Sequence, residues 1–215
     1  MYLSDGDILE AIKKGEIVIR DFDGGRLQPA SYDILLGNKF LVSNTQSTMA
    51  IDPVKKVFPE TTEIIVPDDG MFVLHPGISI LGTSVDYFGS DKYLIHLSGK
   101  SSLARLGLII HNTAGIINPG HHLNITFELC NLNHLPIILR PNMRIGQILF
   151  SELSSTPIKD YKSTGRYHGR DWQHFVDPKE DATKVSAKMP VKASGIAKAS
   201  SSAKSSASKK KISKK

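Results

Sequence analysis

Between Gly99 and Leu129 the chain reads GKSSLARLGLIIHNTAGIINPGHHLNITFEL, and one acid, Glu128, stands there among apolar neighbours. Read as a strand, LNITFEL sends Leu123, Ile125, Phe127 and Leu129 to one face and Asn124, Thr126 and Glu128 to the other. Two readings of Glu128 stay open. It is either a solvent-facing residue of an antiparallel sheet or a general base facing a site. Upstream, SSLARLGL has helical spacing, with Leu103 and Leu106 expected inward and Ser101 and Arg105, four apart, on the opposite face. A carboxylate base, a hydroxyl to hold water and a cation for developing charge make a workable hydrolytic set. Gly99, Lys100 and the first N–H groups of the turn are candidates to receive a phosphate.

Several other chemistries fail on spacing. The GKS at Gly99–Ser101 resembles the end of a P-loop, but that motif needs glycine at the position Leu94 holds. His121 and His122 are adjacent, so on a strand they point to opposite faces, and His75, His96, His111 and His134 are scattered. The H-x-E and P-C-x-x-C pattern of zinc nucleobase deaminases is missing, as is the G-x-S-x-G nucleophile elbow. No metal-ligand set is expected.

The segments around these residues read mostly as strands. ASYDILL, KFLVS, TEIIV, MFVLHP, YLIHLS, LNITFELCN and LPIILRP are short, rich in Ile, Val, Leu and aromatics, and separated by Gly, Pro, Asn and Asp. Long helices do not alternate with them, so an all-β sandwich or barrel is expected rather than a dinucleotide-binding sheet. One helix opens the chain, with Ser4 as cap, Asp7 three residues on, Ile8 and Ile12 as its stripe and Gly15 at its end. Gly107 is expected to end the SSLARLGL turn.

Charge divides the chain in two. Residues 188–215 hold nine of the 27 basic residues and no acid, which leaves 18 basic against 21 acidic groups elsewhere, a balance of −3. The tail is Ser, Ala and Lys with almost nothing to bury, so disorder is expected over 179–215 and a globular domain over 1–178. The tail is either a solvated extension or a contact for nucleic acid or an anionic surface, with Lys209–Lys211 a nuclear signal in a eukaryotic or viral setting. Cys130 is the single cysteine, so no internal disulfide forms. With no bilayer-spanning apolar run and no signal-peptide order at MYLSDGDILEAIKKGE, a cytoplasmic protein is expected.

The blocks LSDGDI, LQPASYDILLG, GKSSLARLGL, NPGHHLNITFEL, RIGQILF and STGRYHGRDW, spread over residues 1–175, together resemble the dCTP deaminase branch of the dUTPase-like superfamily. The resemblance implies a distorted β-barrel or jelly-roll-like subunit with a few short helices, assembled as a homotrimer with sites between subunits. It implies hydrolysis of the dCTP amine to give dUTP and ammonia, with Mg2+ on the triphosphate and no zinc. Glu128 then matches the catalytic glutamate, Ser101 the serine that holds the water, and Arg105 the arginine that orients glutamate and base. The backbone at Thr113 and Ala114 matches the pyrimidine reader. Lys100, Ser101 and Ser102 match the phosphate-contacting block, and Asn118 and Gly120 the deoxyribose segment. Gln147 lies in a block shared across the superfamily. Tyr161, Arg166 and Tyr167 match a lid over the triphosphate. Feedback by dTTP occurs in the family.

Two positions depart from the pattern. Asn118 stands where the family carries Asp, the residue tied to the water that attacks phosphate in its diphosphatase members; an amide hydrogen-bonds a sugar hydroxyl but is no base. Arg170 stands where the lid carries Gln. Gly115 and Ile116, in contrast, follow the style of dUMP-forming members. A dUTP-releasing dCTP deaminase is therefore the leading reading. A bifunctional dUMP-forming deaminase or a dUTP diphosphatase is the second, and a nucleotide-binding regulator without turnover the third.

Overall fold

A computed structural model describes residues 1–159 and 161–165 of the chain. The chain opens with helix α1 (Asp5–Lys13), then β1 (Ile17–Ile19), a 3-10 turn (Gly24–Arg26), β2 (Leu27–Gln28) and β3 (Ser31–Ser43). Next come β4 (Thr61–Ile65), β5 (Phe72–Leu74), β6 (Ser79–Ser90) and β7 (Leu94–Gly99). The helical turn α2 (Ser101–Ala104) leads into β8 (Leu108–Ile109), β9 (Ile116–Ile117) and β10 (Leu123–Asn131). β11 (Ile137–Leu139), β12 (Arg144–Ser151) and α3 (Tyr161–Thr164) follow.

Pairing is antiparallel at every strand contact described, in the order β8-β10-β6-β3-β12-β7-β9, with β1 on β6 and both β2 and β4 on β3. β11 and β5 form a separate small ribbon. β3 joins the two halves of the sheet. Its first residues pair with β12, its later ones with β6 and β4, and the register shifts between Leu36 and Phe40. A shift of that kind bends a strand and raises its twist, so the sheet curls around one core. Tyr32, Ile34, Leu36 and Phe40 of β3, Phe88 of β6, Phe127 and Leu129 of β10, and Ile148 and Phe150 of β12 are fully buried there.

The helix at the N-terminus forms as its sequence predicts. Ser4 accepts from the Asp7 N–H, and the Asp7 carboxylate accepts from the Ser4 N–H, a reciprocal capping box. Lys14 closes the helix and Gly15 follows at φ 71°. ASYDILL and KFLVS, expected as two strands, are one continuous β3. β6 and β12 escaped the strand reading because Gly82, Gly89 and Asp86 break the alternation of one, and Gly146 and Gln147 that of the other. Asp86 is buried, held at 2.7 Å by Arg26 and at 2.7 Å by the Leu35 N–H. A paired acid can thus occupy an interior strand position that its type alone argues against. Leu106, expected inward, is 54% exposed. The helical turn stops at Ala104, so the helical spacing that would bury Leu106 no longer applies. Gly107, expected to end the helical turn, lies three residues past its end at Ala104; at φ 85° it turns the chain into β8.

Candidate active site

β10 carries Glu128 as its alternation predicts: Ile125, Phe127 and Leu129 are buried, while Asn124, Thr126 and Glu128 face away from the core. Glu128 is half-buried and is not a plain surface residue. Its Oε2 accepts the Asn112 backbone N–H at 2.8 Å, and its own N–H donates to the Ile110 carbonyl at 3.0 Å. Among the described residues its other oxygen has no hydrogen-bond partner. One oxygen is therefore fixed by backbone and the other is left for a water or substrate, which is the geometry a proton shuttle needs.

The chain from α2 runs directly into β8, which pairs with β10. β8 pairs Ile109 with Cys130 and Leu108 with Asn131, and the Leu132 N–H donates to the Gly107 carbonyl at 2.9 Å, so the segment after α2 is fastened to the end of β10. Ser101, Ser102 and Arg105 are all exposed on or just after that single turn. Among the described residues no side-chain hydrogen bond joins them to Glu128. The turn has four residues and no side-chain cap. One turn carries little macrodipole, so charge to receive an anion must come mainly from side chains. Lys100, the residue before the turn, is the nearest such charge in sequence. Its Nζ lies 2.6 Å from Asp33 Oδ1.

The loop between β8 and β10 is held tightly at Gly115. Its carbonyl accepts the Leu97 N–H at 2.7 Å, and a Cβ there would stand 3.0 Å from the Leu97 carbonyl oxygen and 3.1 Å from the His111 ring. The same loop presents Thr113 and Ala114, both exposed, and the Asn112 N–H that holds Glu128. Gly115→Ala is expected to push the loop outward and to lower kcat for hydrolysis of the dCTP amine by up to about 10²-fold, the cost of displacing a catalytic group by about 1 Å. Steady-state kinetics, with thermal unfolding as control, reads the effect.

Asn118 is exposed, and its carbonyl accepts the His121 N–H at 3.1 Å. Gly120 is buried, with φ 86°, and donates its N–H to the Ser90 carbonyl at 2.8 Å. Gln147 is built into the frame: its Oε1 accepts from Ser31 at 2.9 Å and its Nε2 donates to the Gly99 carbonyl at 3.1 Å. Tyr161 stacks on His121 with ring centroids 4.4 Å apart, and Lys162 donates to Asp91 at 2.9 Å. α3 is thereby docked beside the segment carrying Asn118 and Gly120. Lys162, then His122, hold the Asp91 carboxyl below its usual pKa. A lowered carboxyl pKa means that this tie is complete at neutral pH and is lost only as pH falls through the depressed value. Arg166, Tyr167, Arg170 and the basic tail lie outside the described residues.

Sequence reasoning missed Asp33, Asn112, Asp91 and the His121–Tyr161 stack. An acid inside the apolar run SYDILL was the available signal for Asp33. Asn112 acts through its backbone and leaves no such mark.

A family model described as dCTP deaminase-like matches residues 2–153. The chain belongs to the dCTP deaminase-like family. A relative from Corynebacterium jeikeium, named dCTP deaminase, dUMP-forming, is 44% identical over 164 residues, covering 76% of this chain and 87% of that protein. A relative of the same name from Mycobacterium tuberculosis is 41% identical over 188 residues, covering 82% of this chain and 98% of its own. The crystal structure of the 2'-deoxycytidine 5'-triphosphate deaminase of Agrobacterium tumefaciens superposes with a TM-score of 0.52 at 22% identity, over 71% of this chain and 48% of that one. At that identity the likeness speaks to fold, and the expected all-β architecture is the one observed. Among the described residues, no helix is long and apolar enough to cross a membrane.

Proposed function

We propose that this protein hydrolyses the 4-amino group of dCTP, with Glu128 as the proton shuttle. The observation that carries this reading is the half-buried carboxylate on a core strand, with one oxygen held by the Asn112 N–H at 2.8 Å. In the proposed reaction Glu128 takes a proton from water as its oxygen bonds to C4 of cytosine. It passes that proton to ring N3, and a further transfer lets the amine depart as ammonia. Ser101 holds the water and Arg105 orients the carboxylate and the base. Thr113 and Ala114 read the pyrimidine through their backbone, and Asn118 and Gly120 border the sugar. Lys100 and Ser102 meet the phosphates, and Tyr161, Arg166, Tyr167 and Arg170 close over them.

Magnesium would travel with the triphosphate. Mg2+ keeps several waters and takes phosphate oxygens, so it needs no dedicated protein cage. Among the described residues no three His, Cys, Asp or Glu gather as for a metal ion, and the donor set at hand suits a metal brought by its substrate. The exposed positions of Ser101 and Arg105 suit a homotrimer in which a neighbouring subunit completes each site.

The relatives' names move the leading end product from dUTP to dUMP, in keeping with Gly115 and Ile116. Asn118 favours a second reading, release of dUTP, because an amide cannot serve as base toward the water that splits the phosphate chain. Incubation with dCTP and magnesium, with ammonia assayed and nucleotides separated, tests both, with dUTP as parallel substrate. Ammonia with dUMP supports the leading reading, ammonia with stable dUTP the second, and no ammonia refutes deamination. Arg105→Ala is expected to lower kcat by about 10²-fold, the scale for a lost charge-stabilising donor, and to leave the oligomer's mass by light scattering unchanged. An effect confined to KM would refute the role given to Arg105.

A further inference from the structure

Asp33 is the most deeply buried charge near the proposed site, and no step described so far uses it. It lies on β3 with its side chain 1% exposed and meets two cations. Lys100 Nζ is 2.6 Å from Oδ1, with the Lys100 side chain 25% exposed. Arg144 Nη1 is 3.4 Å from Oδ2, with its side chain 48% exposed, and Arg144 Nη2 also donates to the Gly25 carbonyl at 3.2 Å. Structural need accounts for one partner: a buried carboxylate must be paired. It does not account for two cations on one acid, which among the described residues leave the cluster with one positive charge in excess on the side open to solvent.

Lys100 is fixed at both ends. Its carbonyl accepts the Leu103 and Ala104 N–H groups at 3.0 and 2.9 Å and so starts α2, while its ammonium is tied to Asp33. An ammonium has three donors, so the bond to Asp33 leaves two for another acceptor. The strands beneath are locked by Gln147, which pairs with Asp33 across β3 and β12 and donates to the Gly99 carbonyl on β7. A long flexible side chain is thus held in one place before any ligand arrives, which reduces the entropy lost on binding.

We propose that Asp33 is a positioning residue for the polyphosphate of the substrate, holding Lys100 and Arg144 as a preset cationic pair at the start of α2. This rests on the reading of Lys100 as a phosphate contact. Asp33 itself touches no substrate and acts through Lys100 and Arg144.

The test is a double-mutant cycle on dCTP turnover in the full chain, with tripolyphosphate as competing inhibitor. Asp33→Asn should raise KM for dCTP and the inhibition constant of tripolyphosphate about tenfold, with kcat within about twofold. In a Lys100→Gln background the same change should add only the part carried by Arg144, about threefold, well short of its tenfold effect in the wild type, because Asp33 and Lys100 act as one unit. Arg144→Gln, on the exposed side of the cluster, should raise KM about threefold or more with kcat unchanged, and it decides the matter if Asp33→Asn does not fold. Additive effects of Asp33→Asn and Lys100→Gln, a fall in kcat without a rise in KM, or an unchanged KM in Arg144→Gln would each overturn the proposal. Wild-type protein that turns over dCTP with a KM indifferent to Lys100→Gln would instead refute Lys100 as a phosphate contact.

Discussion

Glu128→Gln is expected to reduce ammonia release from dCTP by about 10³-fold or more, within the range for loss of a general acid–base group. The amide keeps the shape of the side chain, and its carbonyl oxygen can still accept the Asn112 N–H. It cannot carry a proton between water, ring nitrogen and leaving amine. Substrate affinity should change little, because the proposed phosphate and sugar contacts lie elsewhere. Turnover by rapid-quench assay and dCTP binding by calorimetry separate the two quantities. A variant retaining a tenth of wild-type turnover would place the proton shuttle on another residue. A variant that fails to bind dCTP would give Glu128 a structural duty through its half-buried position on β10.

Asn118→Asp is the second large effect. Conversion of dUTP to dUMP should rise by about 10²-fold, the gain for placing a base beside an attacking water, while deamination of dCTP stays within about threefold. Wild-type protein should accordingly show dUTP as a detectable intermediate ahead of dUMP. Position 118 is exposed and its carbonyl, not its side chain, accepts the His121 N–H. The change of amide to carboxylate therefore leaves the local backbone bonds intact. An unchanged ratio of dUMP to dUTP in the variant would mean that the amide is no handicap and that the phosphate chemistry draws its base from another group.

β10, and with it the candidate base, is legible from residue order alone. Strict alternation over LNITFEL has one physical outcome, because the strand period of two puts Phe127 and Glu128 on opposite faces whichever sheet receives them. The capping box at Ser4 and Asp7 was equally legible, since its two hydrogen bonds are made within four residues. The motif blocks also sufficed to indicate the family that the comparison with relatives then showed. Tertiary structure alone decided what depends on partners distant in sequence. Asp33 and Lys100 are 67 positions apart, and Arg144 and Asp33 are 111 apart. Nothing local announces that one buried carboxylate gathers both cations. Asn112 is silent for a different reason: it holds Glu128 through a backbone N–H that almost any residue would supply, so only the path of the loop over β10 gives it a role. β6 shows the converse limit. Its glycines and its acid argue against a strand until Arg26 and the Leu35 N–H are brought against Asp86, and that pairing exists only once the sheet has curled.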